Sequence, residues 1–263
     1  MHTNTRTEHV DVAGHRLAVR VVGDGPHTIV LLHGWMASSA VWNNLLPLLD
    51  LEGRRLLLPD LRGIGASTAP ATASYRLDDF ITDNVAILDA FDVDTATVIG
   101  NSMGGQSALL LAATHPARVG AVVGLCPVPT TGIPLPDDAR GLFCTSGGDR
   151  AKQATILGLA SPTMADDVKQ RLLDNAGTIA AEIIRATFES WSAGVDVDLA
   201  AIRAKTLIVG TDDPFLPPAF LNGAVVAPIT GARFAFLPGP GHYPQVEAPA
   251  MTAAIVNAFL AAL

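Results

Sequence analysis

The sequence predicts an α/β protein: a mostly parallel central sheet flanked by helices, with a helical insertion in its second half. Three observations lead there. Short apolar runs near residues 30, 57, 98 and 122 are separated by stretches of helical periodicity, the rhythm of parallel crossover units. Those runs are apolar at consecutive positions, as strands buried on both faces are. From about residue 141 to 197 strand character gives way to helical spacing, and it returns at 206–209 and 233–237.

Each element has its own signal. Residues 8–12 and 17–22 flank Ala13-Gly14 and read as an opening hairpin. Residues 28–32 form an apolar strand that ends at His33-Gly34-Trp35. Ser38 is placed to cap a helix running through Val41, Leu45 and Leu48. Residues 55–58 make the next strand, followed by the glycine-rich loop Pro59-Asp60-Leu61-Arg62-Gly63-Ile64-Gly65-Ala66-Ser67. Leu77, Phe80, Ile81, Val85 and Leu88 recur at helical spacing, so 77–91 is an amphipathic helix. Residues 95–99 lead as a strand into Gly100-Asn101-Ser102-Met103-Gly104, and a helix follows to His115. After a strand at 119–125, the proline-rich stretch 127–136 reads as a linker. Ile179, Ile183, Ile184, Phe188 and Trp191 share one helix face in the insertion. Residues 244–263 close the chain as a helix. The sheet domain is therefore assigned to 1–127 and 203–263, and the insertion to 128–202.

Bulk properties narrow the function. A chain of 263 residues suits one α/β domain with an insertion. With a net charge of −8 and no basic cluster, nucleic acid is not an expected partner. The polar N-terminal stretch is not a secretory signal, and no apolar run reaches the ~18 residues of a membrane span. A cytoplasmic protein without membrane association is expected; homo-oligomerisation is left open. Cys126 and Cys144 form no C-x-x-C pair, and Cys126 reads as a reduced, buried thiol in an apolar strand. There is no His-Glu-x-x-His, no Cys/His cluster and no phosphate or dinucleotide loop, so neither a metal nor a cofactor is expected.

The chemistry centres on Ser102. Strand, abrupt turn and helix around Gly-x-Ser-x-Gly force a strained backbone at the serine, and the flanking glycines remove the Cβ atoms that would clash. The following helix N-terminus favours developing negative charge. A serine hydroxyl needs a base, and the base needs a group to orient it. Two segments supply these just past predicted strands: Gly210-Thr211-Asp212-Asp213-Pro214 and Gly239-Pro240-Gly241-His242-Tyr243. The carboxyl ends of parallel strands are where open α/β sheets bind ligands. From the residues alone, Asp212 and Asp213 are both candidates for the carboxylate. His33 reads as a brace for its own loop, and Asp60 and Arg62 as organisers of theirs. His2, His9, His15, His27 and His115 read as surface residues without partners.

His33-Gly34-Trp35, Asp60-x-Arg62-Gly63-x-Gly65-x-Ser67, Gly100-x-Ser102-x-Gly104, Gly210-x-x-Asp213 and Gly241-His242 occur in an order that spans nearly the whole chain. The chain resembles α/β-hydrolase-fold enzymes with a helical cap, of the serine esterase and cofactor-free haloperoxidase type. The resemblance implies Ser102 as nucleophile, His242 as general base and acid, and Asp213 as the orienting carboxylate. It implies an oxyanion hole from the backbone N–H groups of Trp35 and Met103. The expected reaction is hydrolysis of a carboxylic ester or lactone of a small, mostly apolar substrate through an acyl-enzyme. Phe188 and Trp191 from the cap, and Phe215 and Leu216 beside the acid loop, are expected to line the substrate pocket. Dehalogenases and epoxide hydrolases of this fold carry aspartate at the elbow, and the latter resemble a cap-tyrosine mechanism, whereas Tyr75 and Tyr243 lie outside the cap. Carbon–carbon (vinylogous diketone) hydrolysis and perhydrolysis use the same triad and stand as alternatives, as does ligand binding without turnover. An inward-pointing Arg140, Arg150, Arg171 or, above all, Arg185 would favour a carboxylate-bearing substrate.

Overall fold

The computed structural model describes residues 5–12, 14–70 and 72–263. Eight strands form one sheet, in the spatial order β1 (Thr5–Val12), β2 (His15–Val22), β4 (Arg54–Pro59), β3 (His27–Leu32), β5 (Ala96–Asn101), β6 (Val119–Leu125), β7 (Lys205–Thr211) and β8 (Arg233–Leu237). β2 runs antiparallel to β1 and β4; every pair from β4 to β8 is parallel. The opening hairpin is present, although Ala13 of its predicted turn lies outside the described residues. The helices of the sheet domain are α1 (Leu77–Ala90) and α2 (Met103–Thr114). Four more lie between β6 and β7: α3 (Asp137–Cys144), α4 (Arg150–Ala160), α5 (Asp166–Ala176) and α6 (Ala181–Ala193). A short α7 (Pro218–Leu221) follows β7, and α8 (Pro244–Glu247) and α9 (Pro249–Leu260) end the chain.

Period-two alternation places the two apolar clusters on opposite faces of the sheet. Val30, Leu32 and Val98 belong to one; Ile29, Leu31 and Ile99 belong to the other. The strand order reverses around β3: the chain steps from β3 to β4 on one side, then crosses to β5 on the other. The crevice of a doubly wound sheet opens at such a point, beyond the carboxyl ends of β3 and β5. His33-Gly34-Trp35 and Ser102 sit at those two ends.

Two helices predicted as continuous are broken, and proline is the cause of both breaks. Ser38 does cap its segment, accepting from the Ala40 N–H at 3.4 Å. Only 3-10 turns form there, at Ser39–Trp42 and Leu46–Leu48. Pro47 has no N–H to donate, and its ring collides with the carbonyl four residues back. The closing helix splits at Ala248 (φ −138°, ψ 57°), because the residue before Pro249 is driven out of the helical region. No helix among the described residues is long and apolar enough to cross a membrane.

Candidate active site

Ser102 caps α2 with φ 56° and ψ −122°, a conformation costly for any residue with a Cβ. Close packing of glycine backbones holds it there. A Cβ on Gly100 would lie 2.2 Å from the Gly104 carbonyl oxygen, and one on Gly104 would lie 2.1 Å from that of Leu32. With no side chain at either position, α2 can seat directly on the ends of β3 and β5, and the turn between them lifts Ser102 to the sheet edge.

Asp213 lies just beyond β7. Its Oδ2 is 2.6 Å from His242 Nδ1, and its Oδ1 accepts from the Phe215 N–H at 2.8 Å. Asp212 instead accepts from the Gly239 N–H at 2.7 Å on the surface. Geometry thus separates two neighbours that the residues alone did not: Asp213 meets the imidazole and Asp212 ties two loops together. With Nδ1–H donating to Asp213, the imidazole presents Nε2 as its proton acceptor. Ser102 and His242 line the same pocket. Among the described residues no hydrogen bond joins the Ser102 hydroxyl to the imidazole; such contacts commonly tighten only when substrate is bound.

The two N–H groups expected to hold an oxyanion flank this serine. Met103 opens α2, so its N–H has no acceptor within the helix. The His33-Gly34-Trp35 loop packs against the elbow so closely that a Cβ on Gly34 would lie 3.1 Å from Ser102 Cβ. His33 fixes this loop: Nδ1–H donates to the Gly34 carbonyl at 2.9 Å and Nε2 accepts from the Leu61 N–H at 3.1 Å. That pair of bonds needs a neutral ring, and burial lowers the His33 pKa accordingly. Both nitrogens are occupied, so His33 is a brace and not a base.

Asp60 accepts from the Ser39 and Ala66 N–H groups and shapes its loop. Arg62 makes two 2.8 Å hydrogen bonds to Asp83 on α1. His15 also reaches Asp83, at 3.0 Å and fully inside the protein. This corrects the surface reading of His15: its partner is 68 residues away and no local pattern announces it. His9 and His27 are exposed, His115 is half-buried, and His2 lies outside the described residues. Cys126 sits one residue past β6, with φ 43° and Sγ 3.2 Å from Thr211 Oγ1. Burial pushes its thiol pKa well up, which leaves it a poor nucleophile. Both cysteines are free.

The pocket over Ser102 has a volume of about 50 Å³. Of the residues expected to line it, Trp191, Phe215 and Leu216 do so, together with Trp35. Phe188 is a correction. It has no exposed surface and packs among Trp35, Phe143 and Trp191 at centroid distances of 5.2–5.8 Å, without entering the lining. Helical periodicity shows which side of α6 is buried, but not how deep each residue sits. Sequence reasoning missed Phe143, Ile156 and Ala160, which also line the pocket; Phe143 stacks on the Trp35 ring at 5.3 Å. The Trp35 indole donates to the Ile184 carbonyl at 2.8 Å, which ties the His33-Gly34-Trp35 loop to α6.

Among the described residues, no arginine or lysine lines the pocket. The Arg185 side chain is 62% exposed and lies 3.8 Å from Glu189. Arg150 and Arg171 pair with Asp174 and Asp167 at the surface, and Arg140 is an exposed residue with its guanidinium over the Phe188 ring. A larger groove of about 460 Å³ lies at the other end of the sheet, beside Pro26, Arg54 and Lys205, and contains none of the candidate residues.

A family profile described as the α/β hydrolase fold matches residues 27–143. A 2-hydroxy-6-oxononadienedioate/2-hydroxy-6-oxononatrienedioate hydrolase of Pseudomonas putida is 31% identical over 218 residues, covering 74% of each chain. The chain belongs to the α/β-hydrolase family. Another relative, a 2-hydroxymuconate semialdehyde hydrolase of Pseudomonas sp. strain CF600, is 29% identical and covers 89% of this chain and 86% of its own. A solved N-acyl homoserine lactone degrading enzyme superposes with a TM-score of 0.79 at 25% identity, covering 96% of this chain and all of its own. In this member of the α/β-hydrolase family, the Ser102 elbow, the Asp213–His242 pair and the Trp35 loop share one edge of the sheet.

Proposed function

We propose that this hydrolase cleaves a carboxylic ester or lactone of a small, mostly apolar substrate through an acyl-enzyme on Ser102. One observation carries the reading: His242, bonded to Asp213 at 2.6 Å, and Ser102 open on the same pocket, whose lining among the described residues has no arginine or lysine. A buried carboxylate without a partner is costly, so an uncharged group suits this lining. The pocket is also narrow, at about 50 Å³. A short acyl chain fits that space.

In the proposed reaction His242 Nε2 takes the Ser102 proton as Oγ attacks the carbonyl carbon. The Trp35 and Met103 N–H groups stabilise the oxyanion, each typically worth about 10²–10³ in rate. The imidazolium, steadied by Asp213, gives its proton to the leaving alkoxide as the C–O bond breaks. His242 then deprotonates a water, which attacks the acyl-enzyme and releases the acid, and Ser102 regains its proton. We further propose that the segment 128–202 acts as a cap supplying pocket walls, and that the protein works in the cytoplasm on a small-molecule substrate.

The test is hydrolysis of p-nitrophenyl acetate, butyrate and octanoate by the wild type and Ser102→Ala. We expect the short esters to turn over, the octanoate to lag, and kcat of the variant to fall by at least about 10⁴-fold. Ser102 is expected to be labelled by a fluorophosphonate. Absence of both turnover and labelling rejects the reading.

Carbon–carbon hydrolysis is the second reading, favoured by the two relatives described above, which are named hydrolases of a 2-hydroxymuconate semialdehyde and of 2-hydroxy-6-oxo dioates. The same nucleophile and base serve it. A vinylogous diketone offered beside the esters separates the two, with the larger kcat/KM deciding.

A further inference from the structure

The backbone of the base loop is held by groups outside the three reacting side chains. Three successive N–H groups, those of Gly241, His242 and Tyr243, are bound by two neighbouring side chains, one from the helix that follows the loop and one from the insertion. Glu247, on α8, accepts from the Gly241 N–H at 3.0 Å through Oε2 and from the Tyr243 N–H at 3.0 Å through Oε1. Ser161, immediately after α4, accepts from the His242 N–H at 2.9 Å and donates its own proton to Glu247 Oε1 at 2.8 Å. The His242 N–H also reaches the Ala160 carbonyl, at 3.2 Å. The contact is so close that a Cβ on Gly241 would lie 2.6 Å from both the Ala160 oxygen and Ser161 Cα. Ala160 and Ile156, on the same helix, line the pocket.

We propose that Ser161 and Glu247 are positioning residues for His242. They fasten the base loop to the C-terminal end of α4, so the helix that walls the pocket also sets where the imidazole stands. Substrate fit against Ile156 and Ala160 is thereby coupled to the placement of the general base, and its effect falls on kcat more than on KM. The proposal rests on the serine-hydrolase reading for its activity readout, but the placement of the imidazole can be measured without substrate.

The experiment uses Ser161→Ala and Glu247→Gln in the full chain. Steady-state kinetics on p-nitrophenyl acetate are paired with proton NMR of the His242 Nδ1–H that bridges to Asp213. Misplacing a catalytic group by about an ångström costs up to about 10²-fold. We expect kcat to fall about tenfold in Ser161→Ala and about 10²-fold in Glu247→Gln, with KM changed less than about twofold. The bridging proton resonance is expected to shift or broaden in both, and the imidazole titration to move with it. Folded variants with a wild-type resonance, titration and kcat overturn the proposal. If Glu247→Gln does not fold, Ser161→Ala decides alone, since the Ala160 carbonyl still receives the His242 N–H there. A wild type that neither hydrolyses these esters nor is labelled at Ser102 rejects the ester-hydrolase reading, and the resonance and titration then decide the positioning role.

Discussion

The Ser102 elbow and the His242 loop border one pocket but are built in opposite ways. Ser102 is held by local steric fit: Gly100 and Gly104 lie two residues to either side, and their missing side chains let backbone meet backbone. The His242 loop is held by polar bonds from three segments distant in sequence and from nearby Glu247. Asn101 donates to its carbonyl at 3.0 Å, Thr211 donates to the Gly241 carbonyl at 2.7 Å, Asp213 takes the imidazole, and Ser161 with Glu247 take the N–H groups. A strained backbone can be imposed by excluded volume alone. The proposed role of His242, taking and returning a proton, requires an aimed imidazole, and directional hydrogen bonds aim it.

The largest break in this comparison comes from the aim of the base. Asp213→Asn keeps the shape but offers the imidazole a donor or acceptor in the wrong sense. We expect kcat on p-nitrophenyl acetate to fall about 10⁴-fold, with a melting temperature near wild type by circular dichroism. The elbow should fail in the other currency, stability. Gly104→Ala drives a methyl group into the Leu32 carbonyl, and we expect a loss of roughly 1–3 kcal/mol in urea unfolding.

That contrast also explains what was legible in the sequence. Steric devices of the elbow kind leave glycines at fixed offsets, so Ser102 and its turn could be read directly. The strand-end positions of Asp213 and His242 were visible because a parallel sheet presents ligands at one edge. The polar ties were not visible. Ser161 and Glu247 are 86 residues apart, and His15 and Asp83 are 68 apart, so only the finished fold pairs them. Phe188 shows the same limit: helical spacing marks it as buried, whereas its depth behind Trp35 and Trp191 depends on how α6 meets α3. Pro47 and Pro249 could have been read, since their effects on a helix are local.

A smaller test weakens one polar tie at a time. Thr211→Val removes the hydroxyl that donates to the Gly241 carbonyl and leaves that buried oxygen without its partner. We expect about 1–3 kcal/mol of destabilisation, similar in size to Gly104→Ala but accompanied by a several-fold lower kcat, because the base loop and not the elbow is loosened. Parallel urea titrations and ester kinetics on the two variants check this.

The smallest effect belongs to His33, which braces the His33-Gly34-Trp35 loop as a neutral ring. Burial holds its pKa below the ordinary 6.5, so the unfolded chain takes up that proton first as the solution is acidified. Its contribution is complete above pH 6.5 and declines below it. Urea midpoints at pH 7.5, 6.5 and 5.5 (all values chosen as roughly one unit around the ordinary imidazole range) should fall more steeply for the wild type than for His33→Gln.

The placement of the tryptophans has a practical consequence. Of three indoles in the chain, Trp35 and Trp191 border the pocket, whereas Trp42 is sealed in the cluster on the opposite face of the sheet. Intrinsic fluorescence therefore combines two emitters that sense ligand entry with one that serves as a constant background. Stopped-flow emission can follow ligand entry, and the proposed acylation and deacylation, with substrates that carry no chromophore and without any label attached to the protein.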